Sequence, residues 1–172
     1  MTQTPRNSPL SSLRIISGGQ TGVDRAALDF AIEYNLPHAG WCPQGRRAED
    51  GPIDQRYHLC ETPSPGYAQR TAWNVRDSDA TVIFTLSATL SGGTALTLQL
   101  AQKMGKPVLH LARDSEPLGT SATALRRHAE RLNAMLEEFQ VERLNVAGPR
   151  AMQEPEGRSF VWSVLATALA LG

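Results

Sequence analysis

Two short stretches of the chain have residue types and spacing suited to holding an anion. Ser17-Gly18-Gly19-Gln20-Thr21-Gly22-Val23-Asp24 places glycine at positions 18, 19 and 22. Without side chains there, backbone N–H groups approach a phosphate oxygen, the start of a following helix favours negative charge, and Thr21 adds a hydroxyl donor. Ser91-Gly92-Gly93-Thr94 repeats the arrangement further along. Two such turns on one edge of a sheet would grip two phosphates, or a phosphate and a sugar. The first turn has neither the lysine of a Walker A loop nor the spacing of the GxGxxG dinucleotide fingerprint, so nucleoside triphosphate hydrolysis loses support. A tight turn that needs positive φ would call for the same glycines with no ligand at all.

A third stretch, Trp41-Cys42-Pro43-Gln44-Gly45-Arg46-Arg47, joins a flat aromatic, a thiol and two guanidinium groups in one loop. Arg46 offers bidentate contacts to phosphate oxygens, and Trp41 offers a face for stacking on a planar heterocycle. Taken singly, Trp41 and Cys42 equally suit a core, and the arginines a solvated face. Arg150, after Asn145-Val146-Ala147-Gly148-Pro149, follows a strand and is placed to reach the same edge. Asp24 falls in the first turn of a helix, where an acid partners the helix dipole. Asn74, Arg76, Asp77 and Asp79 precede a strand and read as turn formers. His38, His58, His110 and His128 show no metal-ligand spacing, so no dedicated metal is expected. No GxSxG elbow occurs, and no catalytic residue is assigned.

The elements that must position these residues follow from hydrophobic patterning. Residues 13–17 form a short apolar, β-branched run ending at glycine, a buried parallel strand. Ala27, Phe30, Ala31 and Tyr34 share one helical face, and Asn35 with Pro37 ends that helix. Residues 39–61 are punctuated by glycine and proline, which leave room only for short extended pieces, and read as mostly loop. A short helix is expected over 67–75 and a strand over 80–86. The second glycine turn then opens a helix carrying Leu96, Leu100 and Met104, stopped by Gly105 and Pro107. A strand at 108–111, an amphipathic helix over 121–139, a strand at 143–147 and a terminal helix from 157 complete the pattern.

Alternating strands and helices imply right-handed crossovers, hence a Rossmann-like, doubly wound α/β fold. A mainly parallel sheet of about five or more strands would carry helices on both faces. The expected organisation is a disordered lead-in over 1–12 and one ligand-binding domain over 13–172. Lysine and arginine total 17, matching 17 aspartates and glutamates, so no net field favours nucleic acid or an acidic membrane. The N-terminal stretch has no signal-peptide run, and the apolar segment 160–171 is too short to span a bilayer. Cys42 and Cys60 are too few for a zinc cage or a disulfide framework, which fits a cytoplasmic protein.

Five motifs in order then carry a resemblance that covers nearly the whole chain. They are Gly18 to Arg25, Gly40-Trp41-Cys42-Pro43, Trp73 to Asp79, Ser91-Gly92-Gly93-Thr94 and Leu144 to Arg150. They resemble the putative molybdenum carrier family, within the wider superfamily that includes the cytokinin-activating LOG proteins. The resemblance implies a homo-oligomer, dimer or tetramer, that carries the molybdenum cofactor or a nucleotide-like phosphate ligand. It also implies molybdoenzymes or cofactor insertion proteins as partners. The binding residues expected on both grounds are Gly18, Gly19, Gln20, Thr21, Gly22, Trp41, Arg46, Ser91, Gly92, Gly93, Thr94 and Arg150. LOG enzymes carry Pro-Gly-Gly-x-Gly-Thr-x-x-Glu on the second turn. Laid over Ser91 to Gln99, that pattern keeps Gly92 and Gly93 but meets Gln99 where the glutamate stands. The leading expectation is therefore a carrier without turnover. The alternatives are a phosphoribohydrolase or nucleosidase using an acid such as Asp24 or Asp77, and a nucleotide sensor.

Overall fold

A computed structural model describes residues 8–171. In chain order the elements are β1 (Arg14–Ile16), α1 (Val23–Glu33), β2 (His38–Ala39), β3 (Trp41–Cys42), β4 (Arg47–Ala48), β5 (Gly51–Pro52), β6 (Cys60–Glu61), α2 (Tyr67–Arg76), β7 (Ala80–Thr85), α3 (Gly92–Lys103), β8 (Val108–Ala112), α4 (Ala122–Glu138), β9 (Arg143–Ala147) and α5 (Gly157–Ala170). Five strands form one parallel sheet in the order β2-β1-β9-β7-β8. All six residues of β7 are buried, as a near-continuous apolar run inside a parallel sheet requires. The chain steps one way from β1 to β2 and the opposite way from β7 to β8. Right-handed crossovers therefore put α1 and α3 on opposite faces. On one face α5 packs between α1 and α4; on the other α2 packs against α3. This is the Rossmann-like α/β arrangement anticipated from the alternation of elements.

One expectation is corrected and another is filled in. The lead-in, of which residues 1–7 lie outside the described residues, does not remain unstructured to residue 12. A 3-10 helix over Pro9–Ser12 starts on proline, and Ser8 caps it by accepting from the Leu10 N–H at 3.2 Å. The Ser8 hydroxyl donates to Ala168 O at 2.8 Å, and Leu10 is fully buried against α4 and α5. The stretch over 39–61, read as mostly loop with room only for short extended pieces, holds such pieces: the end of β2, which joins the main sheet, and the two-stranded ladders β3-β6 and β4-β5. These strands are two residues each, below the length at which alternation is legible. They fold over a small separate core of Leu28, Cys42, Ala48, Ile53 and Tyr57.

The terminal apolar segment is a core helix: Phe160, Val161, Val164, Leu165 and Ala168 of α5 are all buried. No helix among the described residues is long and apolar enough to cross a membrane. On α4, His128 is fully buried edge-on to Phe160, and neither ring nitrogen has a hydrogen-bond partner among the described residues. Burial pushes its pKa below the ordinary 6.5; Glu116 opposes the shift weakly and Arg131 adds to it. A histidine held neutral in the folded state favours unfolding once the unfolded chain can take up the proton. Its contribution is intact above pH 6.5 and is lost as pH falls towards the depressed folded value. Urea denaturation of the His128→Leu variant is expected to give a flatter stability profile below pH 6.5 than the parent. An equal slope in both would show that His128 is not the group taking up the proton.

Candidate functional site

A cavity of about 780 Å³ opens at the carboxyl ends of β1, β7 and β9. The crossover from β1 leaves to one face there and that from β7 to the other, so the loops diverge and leave a crevice. The first glycine turn, the 87–94 loop with the start of α3, and the 148–154 loop form its rim, while α2 supplies one wall. Tyr67, Arg70, Thr71 and Asn74 lie at helical spacing and form the stripe of α2 that lines it.

At the first turn, Gly18 and Gln20 line the cavity. Gly18 is glycine for a packing reason: an added Cβ would stand 1.6 Å from Nη1 of Arg70. That nitrogen donates to Asp24 Oδ2 at 2.7 Å, and both side chains are largely buried. Burial raises the Asp24 carboxyl above its ordinary range, against the opposing pull of Arg70. The other three turn residues hold the turn's shape. Gly19, with φ of +74°, turns its carbonyl to Arg25, which donates from Nε at 3.1 Å and Nη2 at 3.0 Å while pairing with Asp50. The Thr21 hydroxyl donates to the Glu49 carboxylate and accepts from the Ala151 N–H at 3.3 Å. Gly22, with φ of +83°, lets the 149–151 backbone approach, since an added Cβ would lie 2.5 Å from Pro149 O.

The second turn is open. An added Cβ on Gly92 or Gly93 would meet nothing within 4 Å, and both line the cavity at the N-terminus of the twelve-residue α3. Thr94 lines it too, but its hydroxyl reaches back, accepting from Ser91 N at 3.3 Å and donating to Ser91 O at 2.7 Å. Arg150 lines the rim with its guanidinium 4.5 Å from the centre of the Tyr67 ring. It makes no ion pair among the described residues, unlike Arg25 and Arg70 nearby.

The structure does not bring Trp41 or Arg46 to this cavity. Trp41 is fixed in β3: its indole N–H donates to Asp77 Oδ2 at 2.7 Å, and its ring lies edge-on to Trp73. Asn74, far from forming a turn, sits on α2 and clasps the Trp41 backbone, accepting from its N–H at 2.7 Å and donating to its carbonyl at 2.9 Å. Arg46 is buried and donates to four backbone carbonyls, those of Ile53, Asp54, Tyr57 and Leu59, at 2.8 to 3.1 Å. It staples its own loop. Residues outside the expected binding set, Tyr67, Arg70, Asn145 and Glu154, line the cavity instead. Glu154 is held by accepting from the Leu86 N–H at 2.8 Å. The available signal was a helix whose inward stripe, Tyr67, Arg70, Thr71 and Asn74, is polar rather than apolar.

A parallel sheet of this order with a polar crevice at its switch point defines a Rossmann-like α/β protein. More narrowly, the chain belongs to the circularly permutated YpsA SLOG family, whose profile matches residues 15–169. It is similar to a solved structure of a putative molybdenum carrier protein from Syntrophus aciditrophicus SB, at 41% identity and a TM-score of 0.86. That alignment covers 92% of this chain and 96% of the other. No curated protein matches the chain. The family resemblance read from the five motifs is thereby borne out.

Proposed function

We propose that this protein is a molybdenum cofactor carrier that holds a phosphate-bearing pterin or nucleotide-like ligand in the crevice at the carboxyl edge of the sheet. The observation that carries the reading is the open Gly92-Gly93 turn at the start of α3, in one cavity with Arg150, which makes no ion pair among the described residues. Backbone N–H groups, the helix dipole and a free guanidinium together favour a phosphate dianion. The cavity's roughly 780 Å³ lies within the usual range for small-molecule sites, and the name of the solved relative supplies the molybdenum connection.

The test is titration with purified molybdenum cofactor and, separately, with AMP, for the parent protein and Arg150→Glu. Reversing the charge is expected to weaken binding at least about tenfold with little change in the unfolding temperature, because Arg150 forms no ion pair among the described residues and its contact with the Tyr67 ring is worth about 1 kcal/mol at most. Unchanged affinity would remove the phosphate from this end of the cavity. Prolonged incubation with AMP is expected to release no free base. Sustained release would replace the carrier by a nucleotide-processing enzyme, with Asp24 and Glu154 as the carboxylates that line the cavity.

A further inference from the structure

Two buried hydrogen-bond donors beside the first glycine turn have no acceptor: Gln20 Nε2 and Arg70 Nε. Both residues line the cavity, Gln20 being only 4% exposed. The orientation of the Gln20 amide is set by its other atom, because Oε1 accepts from Thr21 N at 3.0 Å and Glu49 N at 2.9 Å. An oxygen is required there, so Nε2 is the unmatched donor. Arg70 is held by its Nη1 bond to Asp24, which leaves Nε–H pointing to no protein acceptor. A buried donor left unpaired is costly, more so on a charged group, and two such donors on residues lining one cavity point to a missing acceptor. Asp24 lies against the same pair. Its Oδ2 is taken by Arg70, and the backbone N–H of Gln20 also supports the carboxylate, whose lone pairs still leave room for one further donor.

We infer that Gln20, Arg70 and Asp24 form a recognition subsite for a lactam edge, a ring carbonyl beside a ring N–H. This rests on the reading that the ligand's phosphate sits at Gly92-Gly93. A carbonyl oxygen has two lone pairs, one for each orphan donor, and the adjacent ring N–H donates to Asp24 Oδ1. Hypoxanthine, guanine and 4-oxo-pterins present this edge. Adenine presents an amino group and a bare ring nitrogen in its place, which directs N–H groups at the two donors and leaves at least one unpaired. A site built to hydrogen-bond one group discriminates strongly against an analogue lacking it.

Inosine and adenosine monophosphates isolate the difference, since phosphate and ribose are shared and only the lactam edge changes. The parent protein is expected to bind inosine monophosphate at least about tenfold more tightly than AMP by calorimetric titration. Arg70→Lys keeps a cation beside Asp24 but deletes Nε, and Gln20→Glu keeps Oε1 but replaces the donor. Each is expected to bring the ratio towards one, chiefly by weakening inosine monophosphate. Equal affinity of the parent for the two nucleotides overturns the subsite and leaves the carrier reading standing. A preference that survives in both variants also overturns it, because the donors then do not read the edge. If neither nucleotide binds, the subsite as a reader of the shared lactam edge is overturned, and the molybdenum cofactor titration decides the phosphate reading separately. Should a variant not fold, the ratio in the parent protein still decides.

Discussion

Arg46→Met is expected to lower the unfolding free energy by about 3 kcal/mol or more, among the largest single-residue effects in the protein. The guanidinium donates from three nitrogens to the carbonyls of Ile53, Asp54, Tyr57 and Leu59, and it is 7% exposed. Methionine fills the space and leaves four carbonyls without that donor; relaxation of the loop and entering water recover part of the loss. Arg46→Lys should recover little, because one ammonium cannot reach four acceptors arranged around a planar fork. Urea denaturation measures the loss, and limited proteolysis within residues 47–59 should accelerate alongside it. A stable Arg46→Met protein that has lost only ligand affinity would restore the arginine to the binding site and contradict its placement as a loop staple.

Arg70→Met is the second large effect, expected at about 3–5 kcal/mol, because it leaves the Asp24 carboxylate buried without its counter-charge. The sign of the pH dependence identifies the cause. Burial already raises the Asp24 pKa above 3.8, with Arg70 opposing, so removal of Arg70 raises it further. A carboxyl whose folded pKa is raised contributes its stability below the unfolded value, and that contribution is lost as pH rises through the folded value. The Arg70→Met deficit should therefore be small near pH 4 and grow towards neutrality. Adding Asp24→Asn should flatten that dependence and restore part of the stability, since no charge then remains to be buried. A deficit independent of pH in Arg70→Met would mean that lost packing, not a buried unbalanced charge, dominates.

Both experiments separate readings that residue types alone leave merged. A guanidinium suits a phosphate and a set of peptide carbonyls equally well, so the Arg46-Arg47 pair in the sequence points to either. The carbonyls that claim Arg46 come from residues up to thirteen positions away, in a loop with no periodic pattern. Arg70 and Asp24 are 46 residues apart, and no local spacing links them. By contrast, the strand at Ala80–Thr85 and the helix at Ala122–Glu138 were legible to within a residue of each end. Their signals, a continuous apolar run and a repeating apolar stripe, are contained within the elements themselves. The same holds for the strand, glycine turn and helix that begin the sheet.

By itself, then, the sequence determined the alternation of strands and helices, and with it the parallel sheet, the edge where the glycine turns meet, and the family motifs. These depend on local patterning and on the handedness of crossovers, which short stretches of chain already specify. Only the tertiary structure decided what each glycine faces. Gly18 makes room for Arg70, Gly22 for the 149–151 backbone, and Gly92 and Gly93 open onto the cavity. Glycine is demanded alike by a close neighbour, a positive φ or an open approach, and these causes are distinguished by atoms supplied from distant parts of the chain.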